Sequence, residues 1–357
     1  MSKDVFKQDF KSKNEAYIGI LIKEVNMERI ITGVKPTGIL HIGNYFGAIK
    51  PLLDMSKDYE TLFFIADYHA LNYIKSAEEL RENSKKLAAA YLACGLDPEK
   101  VVFFRQSDIP EVFELNWILS NVTPKGLMNR AHAYKAIVEQ NIENNFEKDQ
   151  GVNMGLYNYP ILMAADILLY NCKYVPVGLD QKQHCEIARD LAQIFNNRYG
   201  ETFILPEPKI EESVAVIPGL DGRKMSKSYN NTIQLFCTEK ELQKTINRIV
   251  TDSRLPGEPK DEDCTLSRFY ALFGTKEQTA EFKKELGEGL GWGEAKKKLF
   301  ALMNEYISPM REKYNYYMNH PEEVEKILQS GAFKARCIAK KMIAKIRKRI
   351  GVNTMAN

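Results

Sequence analysis

The sequence predicts an α/β fold, in which a doubly wound parallel sheet is followed by a C-terminal domain made only of helices. From Arg29 onward, short apolar runs alternate with longer helical patterns, and this alternation is typical of a parallel sheet with helices on both faces. Beyond Cys237 the strand patterns stop while the helical patterns continue. The length of 357 residues fits two domains, since one domain takes about 150 residues.

Five strand patterns define the predicted sheet. They cover residues 29–32, 61–66, 101–105, 174–177 and 214–217. The second of them, TLFFIA, is almost wholly apolar, as are strands of a parallel sheet that are buried on both faces.

Helical patterns lie between these strands. They cover residues 45–55, 76–94, 159–170 and 183–197. The second is delimited most clearly, because Ser76 and Glu79 form a capping-box pattern at its start and Gly95 follows its end. The polar stretch 139–153 interrupts the alternation and predicts a loop, within an inserted helical segment of about residues 110–155.

The C-terminal part ends in a helix pattern that combines an apolar stripe with a basic face. Earlier helical patterns in this part cover residues 275–286, 294–307 and 321–328. In the last one, Ile338, Met342, Ile346 and Ile350 recur at four-residue steps, which places them on one side of a helix. Residues 331–350 contain no acidic residue and eight basic ones, namely Lys334, Arg336, Lys340, Lys341, Lys345, Arg347, Lys348 and Arg349.

That basic face has two equally good interpretations. The whole chain carries a net charge of +3, so the residues outside 331–350 carry 3 − 8 = −5. Such an asymmetry is typical of a basic arm that binds phosphate. A solvated helix face would have the same composition.

Composition and cysteine spacing exclude several classes of protein. Hydrophobic residues make up 44% and charged residues 27%, as in an average globular domain. No apolar run reaches the 18 or more residues needed to cross a bilayer. The six cysteines include no C-x-x-C pair, so neither a disulfide framework nor a zinc knuckle is expected. Residues 1–26 form an N-terminal extension without signal or transit features, and we expect a soluble cytoplasmic protein.

A glycine-containing turn at residues 33–44 (GVKPTGILHIGN) follows the first predicted strand and opens the first predicted helix. Doubly wound folds bind nucleotides at this place. Gly38 and Gly43 let the backbone approach a ligand, the helix N-terminus favours phosphate, and His41 can donate a hydrogen bond to a phosphate or ribose oxygen. The alternative is an ordinary turn with an incidental histidine.

A basic loop at residues 222–228 (GRKMSKS) follows the last predicted strand. Lys224 and Lys227 lie three residues apart, Ser226 and Ser228 add two hydroxyl groups, and Gly222 gives the loop flexibility. These residues suit a loop that closes over a polyphosphate. A solvated basic loop is the alternative.

Together, and about 180 residues apart in this order, the HIGN turn and the KMSKS loop resemble the motifs of class I aminoacyl-tRNA synthetases. Further segments narrow the resemblance to the tryptophanyl-tRNA synthetases, and it extends from about Met27 nearly to the C-terminus. These segments are residues 67–70 (DYHA), 106–108 (QSD), 158–170 (NYPILMAADILLY), 175–184 (VPVGLDQKQH) and 251–253 (TDS).

The resemblance implies a Rossmann-type catalytic domain over residues 27–236, a helical domain over residues 237–357 that binds the tRNA anticodon, and a homodimer. It also implies a ligase of translation that uses ATP and Mg²⁺. The enzyme would convert tryptophan to tryptophanyl-adenylate and then transfer the tryptophanyl group to tRNA(Trp). Some relatives carry an iron–sulfur cluster near the region of Cys237 and Cys264, but the further cysteines of such a cluster are missing here. We therefore expect no iron–sulfur cluster and no protein-bound metal.

For ATP, the resemblance implies residues in both motifs and in the segment after the fourth predicted strand. His41, Lys224 and Lys227 would take part in catalysis. The full set expected to bind ATP is Lys35, Thr37, Gly38, His41, Gly43, Asn44, Gly178, Asp180, Lys224, Met225, Ser226, Lys227 and Ser228. Lys35 stands where the commoner bacterial pattern has glutamine, which is a departure from the family.

For tryptophan, the resemblance implies a pocket that reads the indole with one carboxylate. Asp166 would accept the indole N–H, while Tyr159 and Gln181 would hold the amino-acid head group. Asp166 lies in an otherwise apolar run, where an unpartnered carboxylate is strongly unfavourable, so a ligand donor is expected to be its partner. The full set is Ile31, Gly33, His69, Tyr159, Met163, Asp166, Val175, Val177 and Gln181, of which Met163, Val175 and Val177 would wall the pocket.

Three other functions compete with this interpretation. A tyrosyl-tRNA synthetase shares both ATP motifs, but Asp166 and the GLDQKQH run favour tryptophan. A small nucleotidyltransferase can share the H-x-G-x turn but needs neither the KMSKS loop nor a helical domain. A catalytically silent RNA-binding paralogue would be expected to lack His41 or the lysines, which are present.

Overall fold

The computed structural model describes residues 27–210 and 217–352, and a five-stranded parallel sheet lies at its centre. The strands are β1 (Arg29–Val34), β2 (Glu60–Ile65), β3 (Val101–Arg105), β4 (Tyr174–Pro176) and β5 (Glu207–Lys209). They are ordered β3-β2-β1-β4-β5, and every neighbouring pair is parallel. The chain therefore winds outward from β1 to β3 and then crosses to β4 on the other side of β1. Ligands of doubly wound sheets bind where the winding direction changes, beyond the carboxyl ends of the central strands.

The first four predicted strands are confirmed, and the fifth strand of the sheet lies elsewhere. Residues 214–216 of the predicted fifth strand lie outside the described residues, and Ile217 is not in a strand. The observed β5 is a three-residue edge strand with the sequence EPK. Proline is tolerated there because an edge strand leaves one side unpaired.

Helices surround the sheet. In chain order they are α1 (Ile42–Asn44), α2 (Lys50–Met55), α3 (Asp67–Ala70), α4 (Ala77–Ala93), α5 (Pro110–Ser120), α6 (Lys125–Met128), α7 (His132–Glu143), α8 (Met154–Leu168), α9 (Lys182–Tyr199), α10 (Glu239–Asn247), α11 (Thr265–Phe273), α12 (Lys276–Gly287), α13 (Trp292–Asn319) and α14 (Pro321–Ile350). A π-helical segment, Tyr45–Ile49, joins α1 to α2. Within residues 27–210 and 217–352, no helix is both long and apolar enough to span a bilayer.

One helix prediction is confirmed, and one loop prediction is wrong in part. The prediction of a helix at 76–94 matches α4, and the Ser76 side chain accepts a hydrogen bond from the Glu79 N–H. The polar stretch 139–153 is not wholly a loop, because α7 continues to Glu143 before the turns begin. The reason is exposure: this end of α7 faces solvent, so its polar residues resemble a loop.

Alternating strand residues build two hydrophobic cores on opposite faces of the sheet. Leu62 and Phe104 belong to one core, whereas Phe63 and Phe103 belong to the other. The helices of the C-terminal region pack into both cores, and α14 takes part in each. Its first half contributes Val324 and Leu328 to the second core; its second half contributes to the first core, with Ala332, Ala335, Ala339, Ile343 and Ile346.

The last helix therefore packs against the sheet across the predicted boundary between residues 236 and 237. At the closest point Gly331 lies against the backbone of Phe103, where an added Cβ would be 1.7 Å from the carbonyl oxygen. The predicted apolar stripe is confirmed, since Ile346 is buried and Ile338, Met342 and Ile350 pack around the same core. The division into two domains stays a prediction.

Candidate active site

The two sequence motifs meet at the end of β1. The ammonium group of Lys227 donates a hydrogen bond to the carbonyl oxygen of Thr37, at 3.2 Å. The N–H of Gly43 points at the sulfur of Met225, at 3.3 Å. Gly38 has a φ of 71°, and a Cβ there would be 2.8 Å from the Lys227 nitrogen, so a glycine is needed for this approach. The glycine turn and the basic loop thus form one surface.

Local hydrogen bonds give the glycine turn its shape. His41 is the N-cap of α1, with extended backbone angles. Its N–H donates to the side-chain oxygen of Asn44, at 3.1 Å, which satisfies a donor at the start of the helix. His41 also forms an isolated antiparallel bridge with Gln234. These interactions place the imidazole beside the exposed residues of the turn.

Asn231 organises the basic loop. Its side-chain oxygen accepts the N–H of Ser226, at 2.8 Å, and its amide nitrogen donates to Asp221, at 2.7 Å, and to the carbonyl of Lys224. The hydroxyl of Ser226 accepts the N–H of Ser228. The backbone of the loop is therefore held while Lys224, Lys227 and Ser228 remain exposed to solvent.

His41 is neutral in this setting. Burial, and then the positive charge of Lys227, lower the pKa of His41 to about 4. Its Nδ1 atom is buried and has no hydrogen-bond partner within the described part of the chain. Burial likewise lowers the pKa of Lys227. A neutral imidazole can donate its N–H to a polar oxygen of a nucleotide, beside the ammonium group of Lys227.

Asp166 lies buried in α8 and already has two partners from the protein. Nε2 of His69 lies 2.9 Å from one carboxylate oxygen, and the amide nitrogen of Gln106 lies 3.0 and 2.9 Å from the two oxygens. The premise that Asp166 would lack a partner within the protein is therefore wrong, because β2 and β3 lead into residues that already provide donors; binding of a ligand donor to Asp166 stays a prediction. A carboxylate has about four acceptor positions, so these hydrogen bonds leave one for a further donor.

Burial is the larger of two opposing effects on the charge of Asp166, so the pKa of its carboxyl is raised. Its exposure is only 3%, and burial raises the pKa of the carboxyl, while the hydrogen bonds from His69 and Gln106 act to lower it. The acceptor is thus held by hydrogen bonds in a site that excludes water. Such a group discriminates strongly against a ligand that lacks a donor.

A chain of hydrogen bonds joins the two residues expected to hold the amino-acid head group. The Tyr159 hydroxyl lies 2.5 Å from Nε2 of His184, and Nδ1 of His184 lies 2.9 Å from the side-chain oxygen of Gln181. The Gln181 amide donates to Asp180, at 2.7 Å, which fixes its orientation. Nδ1 of His184 therefore carries the proton, and Tyr159 donates to Nε2. Burial lowers the pKa of His184 to about 4 and raises the pKa of Tyr159 to about 12.

The other residues predicted to bind tryptophan are distributed around Asp166 and around the Tyr159–His184–Gln181 chain of hydrogen bonds. Ile31 and Val175 are fully buried in the core, and Met163 and Val177 are partly buried against it. Gly33 is exposed, and a Cβ there would be 2.3 Å from the ring of Phe64.

Residues at the mouth of the site are more exposed. Gly178 and Asp180 lie in the exposed turn after β4. The Lys35 ammonium lies 4.6 Å above the ring of Tyr73. A cavity of about 330 Å³ opens here, lined by Tyr68, His69, Leu71, Asn72, Asn153, Gly155, Tyr159 and Leu162.

The sequence does not single out three residues of the site, namely Gln106, His184 and Asn231. Gln106 and His184 lie in segments that carry the resemblance, but only the folded chain brings them to Asp166 and Tyr159. Asn231 lies outside both motifs. Gln106 directly follows β3, and His184 lies beyond β4. Parallel sheets bind ligands beyond the carboxyl ends of their strands, and this rule could have pointed to both residues.

Comparisons with known proteins agree with this geometry. The family described as class I tRNA synthetases (W and Y) matches residues 24–308. The tryptophan–tRNA ligase of Neisseria meningitidis is 52% identical over 93% of this chain and 100% of its own length, and that of Pseudomonas aeruginosa is 52% identical over 92% and 74%.

A solved structure shows the same similarity in three dimensions. The tryptophanyl-tRNA synthetase of Campylobacter jejuni, crystallised in complex with ADP and tryptophan, superimposes with a TM-score of 0.84 at 47% identity. The alignment covers 90% of this chain and 99% of that one. The chain therefore belongs to the tryptophanyl-tRNA synthetases, within class I of the tRNA synthetases.

Proposed function

We propose that this protein is a tryptophan–tRNA ligase that activates tryptophan with ATP and transfers it to tRNA(Trp) in translation. The observation that carries the proposal is Asp166, a buried carboxylate held by His69 and Gln106 with one acceptor position left. Tryptophan presents a single indole N–H, which is a donor only. A buried acceptor of this kind suits that group.

The first step forms tryptophanyl-adenylate. The carboxylate of tryptophan attacks the α-phosphorus of ATP, and pyrophosphate leaves. Little covalent chemistry is required of side chains, so positioning and stabilisation of charge dominate. ATP enters with Mg²⁺ on its phosphates, and no set of three His, Cys, Asp or Glu side chains that could hold a metal occurs in residues 27–210 and 217–352.

ATP lies on the surface that the glycine turn and the basic loop form together. Lys224 and Lys227 are exposed there and can approach the phosphates, and Lys227 already reaches the turn. Neutral His41 offers its imidazole to the nucleotide. The full set proposed to bind ATP is Lys35, Thr37, Gly38, His41, Gly43, Asn44, Gly178, Asp180, Lys224, Met225, Ser226, Lys227 and Ser228.

Tryptophan lies between the β4 end and α8. The Tyr159–His184–Gln181 chain holds the head group, with Tyr159 and Gln181 in contact with it. Met163 and Val177 wall the pocket, while Ile31 and Val175 lie behind them in the core. Gly33 lies against the ring of Phe64, where a side chain would clash.

The second step passes the tryptophanyl group to a hydroxyl of the terminal adenosine of tRNA(Trp). We propose that the C-terminal helices contact the tRNA and that the enzyme works in the cytoplasm as a homodimer. Large apolar side chains on α5, α7 and α8 support an interface, since Trp117, Ile142 and Met154 are 71%, 60% and 67% exposed. Association surfaces are marked by contiguous exposed apolar patches, so a homodimer interface here requires these three side chains to lie on one patch.

An ATP–pyrophosphate exchange assay across the twenty amino acids tests the proposal. Exchange should depend on tryptophan, exceed that with tyrosine by several orders of magnitude, and require Mg²⁺. Charging of a tRNA mixture should then saturate at the fraction that accepts tryptophan. Exchange with tyrosine at a comparable rate would mean that the enzyme is not specific for tryptophan. Absence of exchange with every amino acid would refute ligase activity.

A further inference from the structure

Arg105 lies next to the tryptophan site but points away from it. It is the last residue of β3 and directly precedes Gln106. Its two terminal nitrogens each donate to one carboxylate oxygen of Glu325 on α14, both at 2.7 Å, and its Nε donates to Asp108, at 2.8 Å. Paired, charge-assisted hydrogen bonds of this geometry fix orientation as well as distance.

The residues between Arg105 and Asp108 hold the indole acceptor. Gln106 donates to both oxygens of Asp166. Ser107 donates its N–H, at 3.1 Å, and its hydroxyl to Asp67. Asp67 starts α3, the short helix that carries His69, the other partner of Asp166.

We propose that Arg105 and Glu325 are positioning residues for amino-acid selection. By fixing the turn of residues 105–108, they keep Gln106 and, through Asp67, His69 aligned on Asp166. The C-terminal helix α14 then contributes to the recognition of tryptophan without touching it. This inference rests on the proposed function.

Attachment of α14 to the rest of the protein does not depend on this ion pair alone. Arg336 pairs with Glu111, at 2.9 Å, and Arg347 pairs with Glu114. Both pairs join α14 to α5. The Arg105–Glu325 pair differs from them in its place, because it lies at the turn that carries Gln106. A displacement near 1 Å at such a turn is enough to cost about 100-fold in activity.

The test compares Glu325→Gln with a matched control, Glu114→Gln, which breaks an ion pair of the same helix away from the site. Pyrophosphate exchange is measured with tryptophan and with an analogue in which sulfur replaces the indole N–H. We expect Glu325→Gln to raise the KM for tryptophan and to lower the preference for tryptophan over the analogue, each by about 10-fold. The KM for ATP and the values for Glu114→Gln should stay at those of the wild type.

A second variant separates positioning from general stability. Arg105→Lys keeps the positive charge but loses the planar fork, so its preference for tryptophan should lie between those of the wild type and Glu325→Gln. Equal losses in the KM for ATP and for tryptophan, or an unchanged preference in Glu325→Gln and Arg105→Lys, would overturn the proposal. Failure of the proposed function would be visible separately, as absence of tryptophan-dependent exchange in the wild type.

Discussion

We expect discrimination between amino acids to depend most directly on the side chain of Asp166. An apolar pocket separates ligands of similar shape by only about 10- to 200-fold, whereas a buried group that must be paired gives about 10⁴- to 10⁵-fold. Asp166 is 3% exposed and is already aligned by His69 and Gln106. Selectivity should therefore depend on this one carboxylate.

Replacing Asp166 by alanine tests that conclusion. We expect Asp166→Ala to lose most tryptophan activation and its preference over the sulfur analogue, while ATP affinity and the cooperative unfolding transition survive. The measurement is kcat/KM in pyrophosphate exchange with both ligands. If the wild type activates both equally well, Asp166 does not read the indole and serves packing of α8 instead.

Lys227 should act on the chemical step rather than on tryptophan binding. Its ammonium reaches the carbonyl of Thr37 across the nucleotide surface, where it can meet the charge that develops on pyrophosphate. Loss of one such preorganised donor costs about 10²- to 10³-fold in rate. We expect Lys227→Ala to show that loss in single-turnover formation of the adenylate, with nearly unchanged tryptophan affinity.

Arg223 provides the control for this variant. It lies in the same exposed loop but pairs with Asp221, at 2.6 Å, and lies over the ring of Tyr229. Arg223→Ala removes the same charge and should change the single-turnover rate far less. A comparable loss in both variants would mean that the net charge of the loop, rather than the place of Lys227, matters.

His41 and His184 should make the fold sensitive to acid. Burial is the main cause that lowers both pKa values from 6.5 to about 4. Between pH 6.5 and 4 the unfolded state therefore binds more protons than the native state, so the free energy of unfolding falls as the pH falls. Replacing His184 by glutamine should reduce the difference in urea-unfolding free energy between pH 7 and 4.5 by on the order of 2 kcal/mol.

At the scale of elements, the basic residues of α14 fall into two groups, those that bind other parts of the protein and those that are exposed to solvent. Arg336 and Arg347 pair with carboxylates of α5, and Lys345 donates to the carbonyl of Thr202, at 2.9 Å. These side chains serve the docking of the helix. Lys340, Lys341 and Lys348 are exposed and remain the best candidates for binding tRNA phosphates.

Neutralising those three lysines distinguishes the two interpretations of the basic face. The triple replacement of Lys340, Lys341 and Lys348 by alanine should weaken tRNA binding. It should also lower the slope of log affinity against log salt by about 1 for each phosphate that the protein no longer neutralises. Pyrophosphate exchange should stay near the wild-type rate, since the site lies elsewhere. Unchanged tRNA affinity at moderate salt would assign the three lysines to a solvated face.

A strand or helix can be predicted where burial of its residues imposes an apolar pattern on the sequence. An element whose residues are exposed carries no such pattern and is missed. β2 is evident in the sequence because five of its six residues are buried, which requires an apolar run. β5 is not, because its three residues, EPK, are exposed or half-buried at the sheet edge. The stretch 139–153 resembles a loop for the same reason. In fact Asn141 donates to the carbonyls of Lys148 and Gln150 and fastens the turn to the exposed end of α7.

At the scale of the whole molecule, contacts between segments that are far apart in the chain are what the sequence predicts least well. The topology places the glycine turn, which directly follows β1, at the ligand-binding edge of the sheet. It does not place the basic loop there, because that loop directly follows no strand of the described sheet. The partners of Asp166 do not follow from the topology either. Gln106 lies 60 residues before it, and only the pairing of β2 with β3 and the packing of α8 bring the two together. The ion pair of Glu325 with Arg105, over 220 residues, depends in the same way on α14 crossing the sheet.

Gly331 is the point where that crossing is closest, and it should control the stability of the whole molecule. A Cβ on residue 331 would lie 1.7 Å from the carbonyl oxygen of Phe103 and 2.5 Å from its carbon, both backbone atoms of β3 that cannot move aside. Overpacking of a core costs about 1–3 kcal/mol, or more, and the higher helix propensity of alanine offsets at most about 1 kcal/mol. We expect Gly331→Ala to lower the free energy of unfolding in urea by at least about 2 kcal/mol. Gly293→Ala in α13, where a Cβ meets nothing within 4 Å, should be neutral or slightly stabilising. Equal stability of the two variants would mean that α14 can move away from β3 without cost, and the two cores that it joins would then be independent of each other.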